Sequence, residues 1–213
     1  MPRAEYGRIL NSEACMAEGA EWLARAEPRF AHAVELCGVP PLRRRPDGFA
    51  QLLQAIISQQ VSTHAARAIW ERMVAAGLTE PSAILVADDA TLRAPGLSRQ
   101  KMRYARALAD AGIDFEHLRE APDQEVVASL TEVAGIGRWT AEIYAMFSLG
   151  RADVFAPGDL ALQESARRLF DLTDRPREAA LRRMAEKWSP WRSVAAGLLW
   201  VYYRAESNRE GIA

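Results

Sequence analysis

Cysteine is nearly absent from this chain of 213 residues, with only Cys15 and Cys37 present. Two thiols cannot hold an iron–sulfur cluster, which takes four. They suit a reduced cytosolic protein and read as two buried thiols ahead of a disulfide. Histidine is equally sparse. His32, His64 and His117 stand far apart, so no metal-ligand spacing exists and a structural metal is not expected. No apolar run approaches a membrane span, and the opening MPRAEYGRIL lacks the apolar core of a signal peptide. The expectation is a cytoplasmic protein with no membrane partner. Lysine is rare as well: Lys101 and Lys187 are the only two, and arginine carries nearly all the positive charge.

Strict alternation of polar and apolar residues is also missing. Apolar positions recur at helical spacing almost throughout, which predicts an all-α protein with short loops and no repeats. Helices are expected from Ser12, Pro28, Asp47 or Gly48, Ser62, Pro81, Asp89, Ser98 and Pro122, then over 138–149, 159–170, 175–188 and 191–206, with a frayed tail from Ser207. Val39 to Pro46 reads as an extended connector, and Ser58-Gln59-Gln60-Val61 breaks the third helix.

Formal net charge is −1, which by itself argues against a nucleic-acid partner; its distribution says more. Acidic residues crowd the first part. Basic ones cluster at Arg43-Arg44-Arg45, at Arg99, Lys101, Arg103 and Arg106, and at Arg138 with Arg151. A solvated helix face accounts for any one cluster as well as a phosphate contact does.

The most informative stretch is LTEVAGIGRWTAEIYAMFSLGRADVFAPGDLAL, Leu130 to Leu162. Gly135-Ile136-Gly137 forms a tight loop between helices. Two glycines let the backbone turn sharply and offer N–H groups to an anion, while Ile136 can plug inward. A bland packing turn competes with that reading. Arg138 and Thr140 beside the loop favour phosphate. Further along, Pro157-Gly158-Asp159 opens a new helix with a carboxylate at its N-terminus, held ionised by unpaired N–H groups and the helix dipole. Locally, Asp159 is as well explained by a plain cap as by chemistry. Trp22 and Trp70 read as core, and Trp188 and Trp191 as packing around Pro190. Spacing alone also makes Trp200 core.

VAGIGRWTA resembles the hairpin of the helix-hairpin-helix DNA glycosylase superfamily, and VFAPGDLAL resembles the segment carrying its catalytic aspartate. KWSPWRSVAAGLLW is similar to the 3-methyladenine DNA glycosylase II branch, in a short form without the N-terminal sheet domain. FAQLLQAIISQQVS and APGLSRQKMRYARALA are family-like as well. The resemblance implies a two-lobed helical fold with its active site in the cleft between lobes. One lobe, 45–154, would carry the hairpin; the other, 1–44 with 155–213, would carry the aspartate.

By resemblance, Gly135 and Gly137 offer amides to a phosphate of damaged double-stranded DNA, with a monovalent cation assisting, and Arg138 and Thr140 flank them. Asp159 is the essential carboxylate, Trp139 and Trp200 line the base pocket, and Gln60 is the wedge entering the gap left by a flipped nucleotide. Trp139 stands where the strand-nicking branch has a lysine, which implies a monofunctional enzyme using water and no cofactor. Aromatic walls suit an electron-poor alkylated purine. Gln60 is polar where some relatives use an apolar wedge, and Ile143 is aliphatic where a pocket aromatic is expected; both bear on substrate range. Competing readings are a noncatalytic lesion-binding module, an adenine-excising relative and a glycosylase for deaminated purines. One duplex-binding cleft per chain suits a monomer.

Overall fold

The computed structural model describes residues 7–210. Thirteen α-helices are present among them: α1 (Glu13–Ala26), α2 (Pro28–Cys37), α3 (Phe49–Ser58), α4 (Thr63–Ala75), α5 (Pro81–Val86), α6 (Asp89–Arg93), α7 (Arg99–Asp110), α8 (Phe115–Glu120), α9 (Asp123–Thr131), α10 (Arg138–Phe147), α11 (Leu160–Leu169), α12 (Glu178–Ala185) and α13 (Arg192–Glu210). The only extended pairing among the described residues is an isolated antiparallel bridge, Ile9 with Arg151. The predicted caps form. Ser12, Ser62 and Ser98 each accept the backbone N–H three residues on, which satisfies one donor left unpaired by the helix start.

Three helices differ from the sequence reading. Helix α8 was not expected; it is one short turn-and-a-half, capped by Asp114, with Leu118 its one buried residue. The expected single helix over 175–188 is α12 followed by a 3₁₀ turn, Glu186–Trp188. The tail expected to fray from Ser207 stays helical to Glu210, and the remainder lies outside the described residues.

The chain divides into two compact units, Arg45–Tyr144 and Met1–Arg44 with Ala145–Ala213. Residues 145–154, assigned by the sequence to the middle unit, group instead with the termini. In the terminal unit, Trp188 sits at the centre of an aromatic cluster: Phe30 and Phe155 meet it edge-on, and Phe170 stacks on it. Gly19 of α1 lies so close to the start of α13 that a Cβ there would come within 2.7 Å of the Trp191 ring and 2.8 Å of Val194. Trp188 and Trp191 are therefore packing residues, as expected. Trp22 and Trp70 are half-buried rather than core. So are Cys15 and Cys37, which form no disulfide.

In the middle unit, α3 buries Phe49, Leu52, Leu53, Ile56 and Ile57 and packs against α4 and α7. The phenol of Tyr144 accepts the Gly48 N–H at 2.8 Å, and burial pushes its pKa up to about 12. Among the described residues no helix is long and apolar enough to cross a membrane.

Candidate nucleic-acid interface and carboxylate site

The hairpin lies in the middle unit, between α9 and α10. Ile136 plugs inward, 3% exposed, and its N–H bonds the Val133 carbonyl at 3.0 Å. The two glycines differ in what they do. Gly135 has φ +97°, and a Cβ there would collide with the Tyr104 ring of α7, so both conformation and space demand glycine. Gly137 has open space where a Cβ would go. Nothing in the folded chain requires glycine at 137. Its carbonyl accepts the Ala141 N–H at 3.1 Å and so starts α10, whose first-turn N–H groups lie beyond the reach of any intrahelical acceptor.

Arg138 is anchored back along its own helix, Nε to Glu142 Oε1 at 3.0 Å, with its side chain still 58% exposed against 3% for Glu142. Thr140 is 8% exposed, so its hydroxyl is a poor candidate for an outside phosphate. At the two glycines where a cation is expected, Gly135 O accepts from Gln59 Nε2 at 2.9 Å and Gly137 O from Ala141 N, one hydrogen bond on an oxygen that has two lone pairs. No group of three or more His, Cys, Asp or Glu that could hold a metal occurs among the described residues.

The basic clusters sort differently from the sequence expectation. Arg151 is fully buried and cannot reach a phosphate. Arg44 spends its guanidinium on the Leu10 and Ser148 carbonyls, at 3.0 and 2.8 Å. Lys101 turns inward, 9% exposed, and donates to the Ile57 carbonyl at 2.6 Å; burial lowers its pKa. Arg106 pairs with Asp89. Arg99 and Arg103, one turn apart on α7, stay exposed. Gln60 is exposed at the end of α3, with φ 57°. Trp139, at the start of α10, leaves 46% of its surface exposed, far more than a core tryptophan would.

Asp159 lies in the terminal unit as the N-cap of α11. Its Oδ1 accepts the backbone N–H groups of Ala161 at 3.0 Å and Leu162 at 3.1 Å, and the indole N–H of Trp200 at 3.3 Å. The turn before it is braced by two contacts. Asp159 N bonds Ala156 O, and the buried Gln163 amide bonds Pro157 O at 2.8 Å. Ser165 then ties α11 to the Leu199 carbonyl of α13 at 2.6 Å. Trp200 stacks one face on Phe147, centroids 5.5 Å apart. Behind the pair is a cavity of about 30 Å³ lined by Leu10, Pro41, Met146 and Gly197, among others. It has room for a water or two and none for a purine. Beside the carboxylate, Leu160 is 62% exposed, an apolar side chain that the sequence did not single out.

A glycine turn that opens one helix and a carboxylate that caps a separate helix are the two parts expected of an enzyme acting on DNA. Residues 53–190 match the family model described as HhH-GPD superfamily base excision DNA repair protein. The chain belongs to the HhH-GPD superfamily. Among its relatives in that superfamily is the DNA-3-methyladenine glycosylase 1 of Schizosaccharomyces pombe, 31% identical over 165 residues, 73% of this chain and 72% of the relative. Two solved structures of superfamily members match the fold. The DNA-3-methyladenine glycosidase of Bacillus halodurans has a TM-score of 0.79 at 30% identity, covering 95% of this chain and 94% of that one. A 3-methyladenine DNA glycosylase of S. pombe in complex with abasic DNA has a TM-score of 0.74 at 29% identity, covering 86% and 95%.

Proposed function

We propose that this superfamily member is a monofunctional DNA glycosylase that removes alkylated purines, such as 3-methyladenine and 7-methylguanine, from double-stranded DNA. The observation that carries the reading is the Asp159 carboxylate, presented at a helix N-terminus with three donors on one oxygen. Breaking a glycosidic bond builds positive charge on the sugar. A fixed negative group stabilises that charge without reorganising and can orient the attacking water. A base in a duplex is stacked, so it must be extruded first. The hairpin amides and Arg138 would hold the phosphate, and Gln60 would fill the gap. Trp139 and Trp200 would flank the base. A purine methylated at N3 or N7 is cationic, which attracts it to aromatic faces and makes it a good leaving group, so no strong general acid is needed.

The absence of strand nicking follows from the amines available. Trp139 offers none, Lys101 is buried against the Ile57 carbonyl, and Lys187 lies outside the segment that resembles the nicking branch's lysine position. The test is methylated duplex DNA, scored for free base and for breaks before and after alkali. Free base with breaks only after alkali supports the proposal. Breaks without alkali contradict the monofunctional part. Binding without base release from a panel of alkylated and deaminated purines favours a lesion-binding module.

A further inference from the structure

Two adjacent glutamines end α3, and they are used differently. Gln59 turns its amide to the hairpin and donates to Gly135 O at 2.9 Å. Gln60 is exposed and holds a left-handed backbone, φ 57°. Glycine adopts that conformation without strain, whereas a residue with a Cβ holds it when the surroundings over-determine it. A glutamine there points to a use for its side chain.

The contacts around the break come from α7. Lys101 reaches under the end of α3 to bond the Ile57 carbonyl at 2.6 Å, a group left without a helical partner by the break that follows. A cation at that end also meets the negative pole of the helix. One turn along α7, the Tyr104 ring occupies the space a Cβ at Gly135 would need, and Gln100 donates to the Tyr104 hydroxyl at 2.7 Å. One helix therefore backs both the break and the hairpin, and Gln59 ties the two together directly.

We propose that Gln59 and Lys101 are positioning residues that hold Gln60 in register with the hairpin, so that gripping a phosphate and inserting the wedge are one event. This role depends on the glycosylase reading only in that Gln60 enters DNA; it does not require that any base be released. Gln59→Met keeps length and loses the donor, and Gln59→Asn keeps the amide but cannot reach. Lys101→Met removes the ammonium at nearly constant shape.

The experiment uses the full chain and a duplex with 2-aminopurine beside a tetrahydrofuran abasic-site analogue, whose fluorescence rises when the neighbour unstacks. Gln60→Ala sets the level without a wedge. Gln59→Met, Gln59→Asn and Lys101→Met are expected to fall close to that level, while affinity for undamaged duplex stays within about twofold, because phosphate contacts supply most of it. Gln59→Met combined with Gln60→Ala is expected to be no worse than Gln60→Ala alone. Wild-type fluorescence in the Gln59 variants would overturn the proposal, as would an equal further loss in the Gln60→Ala background, or an unchanged signal in Gln60→Ala itself. Should Lys101→Met fail to fold, the two Gln59 variants decide the matter. Base release, measured separately, reads the glycosylase proposal alone.

Discussion

The indole N–H of Trp200 points at the same carboxylate oxygen of Asp159 that caps α11, at 3.3 Å. A residue expected only as a wall for the base thus also orients the charged group. Trp200→Phe keeps a ring to stack on Phe147 and removes this donor. Hydrogen bonds to charged groups contribute about 1.5–3 kcal/mol, and this one is long, so the lower end applies. Excision is expected to slow by roughly tenfold with duplex affinity unchanged. Single-turnover base release beside a binding isotherm checks this. A loss in affinity alone would mean that the tryptophan acts only as a wall.

The two hairpin glycines are expected to separate stability from binding. Gly135→Ala collides with Tyr104 and forces a positive φ on a residue with a Cβ, so its melting temperature should fall. Gly137→Val meets open space, and only the start of α10 is affected, at about 1 kcal/mol. Its duplex affinity should nevertheless drop by about tenfold, equally for all sequences, because a side chain keeps a phosphate from the amides. Thermal melts and fluorescence anisotropy on unrelated duplexes measure both. Unchanged affinity in Gly137→Val would reduce the loop to a packing turn.

Trp139 leaves nearly half its surface exposed at 46%, so Trp139→Ala should cost little stability. Excision of a cationic alkylated base should suffer more than that of a neutral one such as hypoxanthine, since the ring's attraction for a cation is lost along with stacking. Equal losses on both substrates would argue for stacking alone.

Much of this was legible in the sequence. Ser12, Ser62 and Ser98 cap their helices, Asp159 caps α11, and Ile136 turns inward, because caps and glycine turns are local chemistry written in neighbouring residues. What a charged side chain does at long range is not local. Lys101 and Arg151 look like members of basic clusters, yet one is buried under the end of α3 and the other is fully buried. Arg44 is spent on carbonyls far away in the chain. The brace at Gln59 was missed for the same reason, since its amide bonds a loop that only the fold brings near. Helix α8 carried a local signal that the periodicity did not reinforce: Asp114 caps it as Asp88 caps α6.

Acid should loosen the protein partly through Glu164. The guanidinium groups of Arg167 and Arg168 hold its carboxyl down to about 2, below the ordinary 4.5. A depressed carboxylate contributes stability above its unfolded value and loses it as pH falls toward the folded one. Between about pH 4.5 and pH 2 the wild type should therefore lose stability that Glu164→Gln never had. Melting temperatures of both across that range are expected to converge. Parallel curves would contradict the pairing.

The most direct measurement is single-turnover release of free base from methylated duplex by wild type and Asp159→Asn. Asparagine caps a helix as well as aspartate, so it can still accept from Ala161 and Leu162, and only the charge is lost. The expected result is base release by wild type and none by Asp159→Asn, at equal duplex affinity and similar melting temperature. Release at the wild-type rate by Asp159→Asn would contradict the account.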